Sequence, residues 1–414
     1  MINSTLSYLY KLHNRGIKLG LSNIKNFLAE CTNPEKDFKT VHIAGTNGKG
    51  STASITAKIL QNSGFTVGLY TSPHLINFNE RIRVNGIPIT DNEIISFTKK
   101  YQQYIDKNSI TFFEATTAMA FDYFAKNKVD YAIVETGLGG RLDSTNVVSP
   151  IQTIITEIDF DHTRLLGNSV EEITAEKCGI IKPNVTNTTI NTKKNIKEVI
   201  SKFSMENNTD TDYVDKKNIV IKEQKKESLH FKFKDFSYHL PQSGSFQAQN
   251  AILAIETIKK ILPGLSIDKI QHGLNKWVWP GRMQLMSGNI FYDVAHNSSG
   301  VKILCKDLKD IYHKKPIGLV VIKNDKIREE ILDLFKHSFE ELVISTIPSK
   351  DILGKNDIQK NKELNNFKFF ENIQDALDYL NNKEYDGPKV VFGSHYIAKY
   401  VYNFFDFSFD NGSI

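Results

Sequence analysis

A glycine-rich segment, residues 45–52, restricts the possible fold of this chain more than any other feature of the sequence. It contains Gly-Thr-Asn-Gly-Lys-Gly-Ser-Thr, follows a short apolar run and precedes a stretch with helical spacing at residues 51–60. In such a setting backbone N–H groups and a helix N-terminus bind phosphate, with Lys49 near the β and γ oxygens and Ser51 near magnesium. Because Ile43 stands where the standard phosphate loop has its first glycine, this loop is a variant. A purely structural turn is the alternative.

Short apolar runs, followed by turns and helix-like stretches, recur along the chain. They occupy residues 41–44, 131–134, 153–155, 290–292, 317–322, 342–344 and 389–392. Strands that alternate with helices predict an α/β fold with a mostly parallel sheet. The ligands of such sheets gather beyond the carboxyl ends of the strands.

The distribution of these runs predicts two domains. Trp-Pro-Gly-Arg at residues 279–282 interrupts the pattern. We therefore predict a doubly wound, mostly parallel N-terminal domain that holds the glycine-rich loop at residues 1–282, and a smaller Rossmann-like α/β domain at residues 283–414. Within the polar, lysine-rich stretch at residues 184–240, the alternation at residues 230–234 predicts an antiparallel hairpin at the edge of the sheet.

Acidic and polar residues stand at the ends of three predicted strands. Glu135 ends one apolar run, Thr-Ser-Pro-His occupies residues 71–74, and Asp-Phe-Asp-His occupies residues 159–162. Because the carboxyl ends of parallel strands meet at one edge of a sheet, we expect these groups to converge on the glycine-rich loop. An acid in this position suits magnesium binding or the positioning of water. The alternative is that Glu135 caps the turn after it and His162 makes only local hydrogen bonds.

A capping-box pattern, Ser169 with Glu172, predicts the start of a helix. The far end of this helix carries Glu-Lys-Cys-Gly at residues 176–179. From the residue pattern alone, Lys177 is expected to be an exposed lysine on the helix surface.

Composition narrows the class of ligand and the compartment. Lys and Arg number 52 and Asp and Glu 47, a net charge of +5 that suits anionic small molecules and does not require nucleic acid. No apolar run has the length of a membrane span, and no N-terminal stretch has the pattern of a secretory signal. Three widely spaced cysteines, Cys31, Cys178 and Cys305, predict neither a disulfide framework nor a zinc site, so we expect a reducing cytoplasm.

Taken together, the motifs resemble those of the folylpolyglutamate synthase and dihydrofolate synthase family, within the Mur ligase superfamily of ATP-dependent amide-forming ligases. The segments that carry the resemblance are residues 44–52, 71–86, 135–146, 161–182, 246–251, 280–282 and 293–297.

The resemblance implies the positions of the ATP, metal and substrate contacts. The implied ATP-binding residues are Thr46, Asn47, Gly48, Lys49, Gly50, Ser51, Asn250, Arg282 and Asp293. The implied magnesium ligands are Ser51, Ser72, Glu135 and His162. Two Mg²⁺ ions are expected, with K⁺ as a further candidate cation. The pteridine and aminobenzoate groups are expected to contact Ile17, Lys18, Leu19, Phe113, Glu114, Leu142, Asp143 and Ser144.

The resemblance also implies that Lys177 is carbamylated, which reverses its interpretation as a surface lysine. A carbamate turns a cation into an anion that can bind a second magnesium or accept a hydrogen bond from metal-bound water. The implied catalytic residues are Lys49, Lys177 and His296, the last as a candidate proton acceptor.

The implied function is an ATP-dependent ligase that joins L-glutamate to dihydropteroate, to (tetrahydro)folate, or to both. We expect both activities, small-molecule substrates only and a monomer. Three alternatives stay open: a Mur-type ligase of cell-wall synthesis, a P-loop phosphotransferase or regulatory ATPase, and a homologue that binds ligands without catalysis.

Overall fold

The computed structural model describes residues 1–16, 20–349 and 351–407. The strands are β1 (Lys39–Ala44), β2 (Val67–Tyr70), β3 (Ile82–Val84), β4 (Ile87–Pro88), β5 (Tyr131–Glu135), β6 (Pro150–Ile155), β7 (Asn187–Thr189), β8 (Thr211–Tyr213), β9 (Ile219–Lys225), β10 (Ser228–Phe233), β11 (Phe236–Leu240), β12 (Gln284–Ser287), β13 (Ile290–Asp293), β14 (Ile317–Val320), β15 (Glu341–Ser345), β16 (Lys368–Phe370) and β17 (Lys389–Phe392).

The α-helices are α1 (Ile2–Lys11), α2 (Ser22–Glu30), α3 (Lys49–Asn62), α4 (Asp91–Lys107), α5 (Phe112–Lys126), α6 (Thr163–Leu166), α7 (Val170–Cys178), α8 (Lys194–Glu206), α9 (Ser245–Ile261), α10 (Ile267–Asn275), α11 (Ser298–Tyr312), α12 (Glu329–His337), α13 (Lys355–Lys360), α14 (Ile373–Asn382) and α15 (Ala398–Phe404). Short 3-10 helices lie at Leu12–Arg15, Pro34–Lys36, Phe78–Arg81, Ser144–Val147, Lys216–Asn218, Asn324–Lys326, Leu364–Asn366 and His395–Ile397.

The described residues form two compact units. Unit 1 contains residues 1–219 and 249–277, and unit 2 contains residues 220–248 together with the described residues after position 277. The predicted domain division between residues 282 and 283 stays a prediction. It differs from the compact units in the assignment of residues 220–248 and 278–282.

Unit 1 is built on an eight-stranded sheet with the order β4-β3-β2-β5-β1-β6-β7-β8. The pairs from β2 to β8 are parallel, and β3 and β4 add an antiparallel edge. The predicted α/β class with a mostly parallel sheet is therefore confirmed. The central strand β1 is rich in β-branched residues and leads directly into the glycine-rich loop, so the loop lies at the carboxyl edge of the sheet.

Helix α3 packs closely because its buried residues are mostly small. Ser51, Ala53 and Ser54 are almost fully buried, and the indole N–H of Trp277 donates to the Ser54 hydroxyl at 2.8 Å. A Cβ added to Gly273 of α10 would lie 2.9 Å from the Cα of Ile59, so these two helices approach at backbone distance. This packing fixes the position of α3 behind the loop.

The hairpin predicted at the edge of the large sheet lies elsewhere, so that prediction is wrong in its placement. Strands β9, β10 and β11 form a separate three-stranded sheet, in which β10 and β11 pair antiparallel as the alternation predicts. The alternating residues Leu229, Phe231 and Phe233 are buried. The edges of the large sheet are already occupied by β4 and β8, which come from other parts of the chain.

Unit 2 also contains a six-stranded sheet with the order β12-β13-β17-β14-β15-β16. All pairs are parallel except β12 with β13. The four strands predicted after residue 282 are thus present. Its core is made by apolar side chains of the sheet and of α11, α12 and the segments that follow, including Phe291, Leu304, Leu308, Phe335 and Phe392.

No helix within residues 1–16, 20–349 and 351–407 is both long enough and apolar enough to cross a membrane.

Candidate active site

The glycine-rich loop at residues 45–48 joins β1 to α3, as predicted, and its glycines are required by close contacts. Gly48 has a φ of 86°, and a Cβ at this position would lie 2.2 Å from Oδ1 of Asn250. A Cβ at Gly45 would lie 1.8 Å from the Thr156 hydroxyl oxygen. Asn250, which was predicted to bind ATP, therefore lies directly against the loop.

Backbone N–H groups at the start of α3 are available for an anion. The N–H groups of Thr46 and Asn47 donate to the Glu157 carbonyl at 2.8 and 3.1 Å, which fixes the first half of the loop. The first backbone bond of the helix runs from Thr52 N–H to the Gly48 carbonyl. The N–H groups before Thr52 in the helix thus have no intrahelical acceptor, which makes this helix start suitable for phosphate.

Lys49 and Glu135 bring opposite charges together beside the loop. The Lys49 ammonium donates to the carbonyls of Gly45 and Thr46 at 3.2 and 3.3 Å, and lies 4.0 Å from Oε1 of Glu135. Glu135 is the last residue of β5, is only 4% exposed, and accepts a hydrogen bond from the Ser72 N–H at 3.1 Å. The predicted convergence of these strand ends is confirmed for Lys49, Ser72 and Glu135.

Two hydroxyl groups in the first turns of α3 are buried without hydrogen bonds. Within the described part of the chain, Oγ of Ser51 and Oγ1 of Thr52 have no hydrogen-bond partner. An unpaired buried hydroxyl is costly unless a ligand satisfies it. Ser51 follows the loop by three residues, so its hydroxyl is a suitable oxygen ligand for a cation bound with phosphate.

Lys177 is buried, and the surface position expected from the residue pattern alone is wrong. The capping box of Ser169 and Glu172 is confirmed, but α7 packs its far end inward, and Lys177 is 3% exposed. Its ammonium donates to the Gly45 carbonyl at 2.7 Å. Burial, and then the positive charge of Lys49, lower the pKa of Lys177 to about 7. The neutral, nucleophilic form of this amine is therefore reached at a lower pH than in an ordinary lysine.

His162 lies on an exposed turn that precedes α6. Its φ is 48°, its N–H donates to Oδ1 of Asp161 at 2.8 Å, and its side chain is 49% exposed. Among the residues that the structure describes, no group of three or more His, Cys, Asp or Glu side chains is arranged to hold a metal ion. The predicted magnesium ligands include two serines besides Glu135 and His162, so they would not form a group of that kind. Their role stays a prediction.

The turn after Glu135 is organised by the buried carboxylate of Asp143. Oδ2 accepts from the N–H groups of Gly137 and Leu138, both at 2.9 Å, and Oδ1 accepts from the N–H and hydroxyl of Thr145. Burial raises the pKa of Asp143, and these hydrogen bonds oppose that effect. Because the single hydroxyl proton of Thr145 goes to Asp143, Nε2 of His42 must be the donor in its 2.8 Å contact with that hydroxyl.

We expect Asp143→Asn to lower the free energy of unfolding by about 2–3 kcal/mol, because the amide would place a donor against backbone N–H groups. Chemical denaturation of the variant and of the wild-type protein measures this difference. The nearby Ser144→Ala variant is the control, since Ser144 has no side-chain hydrogen bond to this turn among the described contacts. Equal stability of Asp143→Asn and wild type would show that the carboxylate does not hold the turn.

Of the other predicted substrate contacts, four lie among the described residues and three do not. The ring of Phe113 lies against Gly137, where an added Cβ would be 2.4 Å from it. Glu114 is buried and caps α5 by accepting from the Thr111 N–H at 2.8 Å. Leu142 and Ser144 are partly buried beside Asp143. The predicted contacts Ile17, Lys18 and Leu19 lie outside the described residues.

The predicted residues of unit 2 lie at the end of β13. Asp293 is 4% exposed and accepts from the N–H groups of Met283 and Ala295, both at 2.7 Å. Burial raises the pKa of Asp293, whereas the guanidinium of Arg282 lowers it. Nδ1 of His296 contacts the Val294 carbonyl at 3.0 Å, so this nitrogen carries the proton. The nucleotide contacts of Arg282 and Asp293 and the catalytic role of His296 stay predictions.

Arg81 has no predicted role, although it lies in one of the segments that carry the family resemblance, residues 71–86. Arg81 is buried near Glu135, and its Nε–H donates to Nδ1 of His74 at 2.8 Å. Burial, with the positive charge of Arg81, lowers the pKa of His74 to about 3, so His74 is a neutral acceptor. Nothing in the local pattern distinguishes Arg81 from the nearby Arg83.

Comparison with known proteins places this arrangement in a family. Residues 43–258 match the family model described as the Mur ligase middle domain. The chain is 35% identical to the dihydrofolate synthase/folylpolyglutamate synthase of Bacillus subtilis, across 90% of this chain and 92% of the relative.

Solved structures agree with the sequence comparison. The folylpolyglutamate synthase of Thermotoga maritima is 32% identical and superposes with a TM-score of 0.84, covering 98% of this chain and 96% of that one. The Mycobacterium tuberculosis folylpolyglutamate synthase complexed with ADP and AMPPCP is 26% identical with a TM-score of 0.86, covering 99% and 100% of the two chains.

Proposed function

Since this chain belongs to the folylpolyglutamate synthase and dihydrofolate synthase family of the Mur ligases, we propose that it glutamylates both dihydropteroate and reduced folates. The chain is an ATP-dependent ligase that joins L-glutamate to a folate. The double activity is supported by similarity across 90% of the chain to a relative whose name contains both activities. The observation that carries the chemistry is that Lys49 and Lys177 both donate to the Gly45 carbonyl, with Glu135 4.0 Å from the Lys49 ammonium.

The reaction has two steps in this proposal. An oxygen of the acceptor carboxylate attacks the γ-phosphorus of ATP, the bond to the β-γ bridging oxygen breaks, and ADP leaves. The amine of glutamate then attacks the carbonyl carbon of the acyl phosphate, loses a proton and displaces phosphate. Lys49 is held by two loop carbonyls before substrate arrives, so its charge is preorganised for the transferring phosphoryl group.

The residues around the loop fit a magnesium site. The buried Ser51 hydroxyl, which has no hydrogen-bond partner among the residues that the structure describes, and the Glu135 carboxylate are the hard oxygen donors that this ion prefers. We propose that Ser51, Ser72, Glu135 and His162 hold Mg²⁺, with a second Mg²⁺ and K⁺ as additional cations. When bound, Mg²⁺ neutralises charge on the phosphate oxygens.

Ser51→Ala is expected to raise the Mg²⁺ concentration for half-maximal ligation by about 10- to 100-fold. It should not destabilise the fold, because the hydroxyl it removes is buried without a hydrogen bond. Thr52→Val is the matched control, since it removes the neighbouring unpaired hydroxyl and leaves the shape unchanged. Magnesium titrations and thermal unfolding measure the two effects. An equal shift in both variants would refute the assignment of Ser51.

We also propose that Lys177 carries a carbamate. Formation of a carbamate requires a neutral amine, and the lowered pKa of about 7 supplies one at the pH of the cytoplasm. The new anion would lie beside the ammonium of Lys49, which would remove the repulsion between the two cations.

The proposed compartment and assembly follow the same reasoning. We propose a monomer in the cytoplasm that acts on small molecules, without membrane or nucleic-acid partners. Cys31, Cys178 and Cys305 are free and buried thiols, which suits a reducing compartment.

Phosphate release with MgATP and L-glutamate tests the function, with dihydropteroate, with tetrahydrofolate and with neither acceptor, and with products identified by mass. Turnover with each acceptor establishes both activities. Turnover with only one refutes the double activity. Product with a UDP-muramyl acceptor would instead favour a cell-wall ligase, and ATP hydrolysis without any amide product would favour a phosphotransferase or ATPase.

A further inference from the structure

Arg81 is a buried cation with no carboxylate at ion-pair distance among the described residues. It is 8% exposed, and among the described residues its guanidinium makes no ion pair within 4.0 Å. Its Nε–H donates a hydrogen bond to the neutral ring of His74. Buried guanidinium groups are normally paired with an anion, because removal of an isolated charge from water is costly.

The acidic residues near Arg81 are engaged elsewhere. The Glu80 carboxylate accepts from the N–H groups of Leu75, Ile76 and Asn77 at 2.8, 3.0 and 2.6 Å, which closes the preceding turn. Glu135 interacts electrostatically with Arg81, but its oxygens lie at the Ser72 N–H and near Lys49. The Arg81 guanidinium is therefore available to bind an anionic ligand on its side towards Glu135.

A cluster of aromatic rings lies beside this guanidinium. The Arg81 Cζ lies 5.3 Å from the ring centroid of Phe112, and the ring of His13 stacks on Phe112 at 3.9 Å. Tyr10, which is 38% exposed, lies 6.3 Å from His74 and 5.9 Å from Phe112. Flat rings beside a fixed cation are suited to a planar aromatic group that ends in an anion.

We propose that Arg81 binds the reacting carboxylate of the acceptor, with the benzoate ring of dihydropteroate against the adjacent aromatic side chains. This inference rests on the proposed function. Arg81 would hold the carboxylate next to the loop and reduce the repulsion between this anion and the γ-phosphate of ATP. The phosphate has its own cation in Lys49, which leaves Arg81 for the acceptor.

The experiment compares dihydropteroate with its carboxamide, which keeps the ring and loses the charge. Affinity is measured by titration of the full-length protein without ATP. Wild type should bind the carboxylate about 10- to 100-fold more tightly than the carboxamide. In Arg81→Gln this preference should disappear. Arg83→Gln is the matched control, since Arg83 is also buried but donates to the Gly86 carbonyl, and it should retain the preference.

Other outcomes would overturn the inference. A preference retained by Arg81→Gln contradicts it, and so does loss of the preference in Arg83→Gln to the same extent. If Arg81→Gln weakens AMPPCP binding and not ADP binding, the γ-phosphate is the anion instead. If Arg81→Gln fails to fold, Arg81→Lys replaces it in the titration. This variant should show only part of the wild-type preference for the carboxylate, because lysine is a point charge without the guanidinium fork. Failure of the proposed function would give a different result from failure of this inference, since wild type would then form no glutamylated product.

Discussion

Replacement of Lys49 by alanine is expected to lower the rate of glutamate ligation by about 10²- to 10³-fold, the usual effect of removing one preorganised electrostatic contact to a transition state. The ammonium is held by the carbonyls of Gly45 and Thr46 and lies 4.0 Å from Glu135. It therefore needs little reorganisation to stabilise the transferring phosphoryl group. Single-turnover measurements with saturating ATP separate this effect on the chemical step from any loss of nucleotide affinity.

Lys58→Ala is the matched control for Lys49→Ala. Lys58 belongs to the same helix and is also largely buried, at 8% exposure, but it lies more than two helical turns beyond the loop. We expect its variant to retain the wild-type rate. If Lys49→Ala kept most of the activity, or if both variants lost it equally, the loop lysine would have no special part in phosphoryl transfer.

Lys177→Met is expected to reduce ligation by about 10²-fold or more without lowering stability, because removal of a buried, desolvated ammonium offsets the loss of its hydrogen bond to the Gly45 carbonyl. The folded protein protonates unmodified Lys177 only below a pKa of about 7, compared with 10.5 for the ordinary group. Between these two pH values the unfolded chain binds one more proton, so the stability of unmodified wild type rises with pH. The methionine variant should lack this component of the slope.

Carbon dioxide provides the readout that distinguishes a carbamate from a plain lysine. Activity of wild type should fall in CO₂-depleted buffer and below pH 7, where the amine becomes an ammonium, and should return when bicarbonate is added. Lys177→Arg should be inactive under all these conditions, because its charge is kept and carbamate formation is not possible. Cys178→Ala, which changes the adjacent buried side chain, is the control. Activity that is independent of CO₂ would refute the modification.

The strand, loop and helix around Lys49 could be predicted because they depend on local sequence. Glycines at positions 45 and 48, a preceding β-branched strand and a helix of small residues agree with one another over a short segment. The capping box of Ser169 and Glu172 was predicted for the same reason, since its partners are three residues apart. The alternation at residues 230–234 predicted an antiparallel pair correctly, whereas the sheet to which that pair belongs depends on which edges other strands have filled.

The sequence by itself determined the α/β class, the glycine-rich loop and, through its motifs, the family. Only the tertiary structure decided the environment of individual side chains. Lys177 meets the Gly45 carbonyl across 132 positions of sequence, and the packing of α3 leaves the Ser51 hydroxyl without a hydrogen-bond partner in the described ranges. Arg81 and Arg83 are alike in sequence, but Arg83 donates to the Gly86 carbonyl of its own turn, whereas Arg81 donates to His74 and has no ion pair among the described residues. The physical reason is that burial, desolvation and charge pairing depend on segments distant along the chain, whereas turns, caps and strand patterns depend on neighbours.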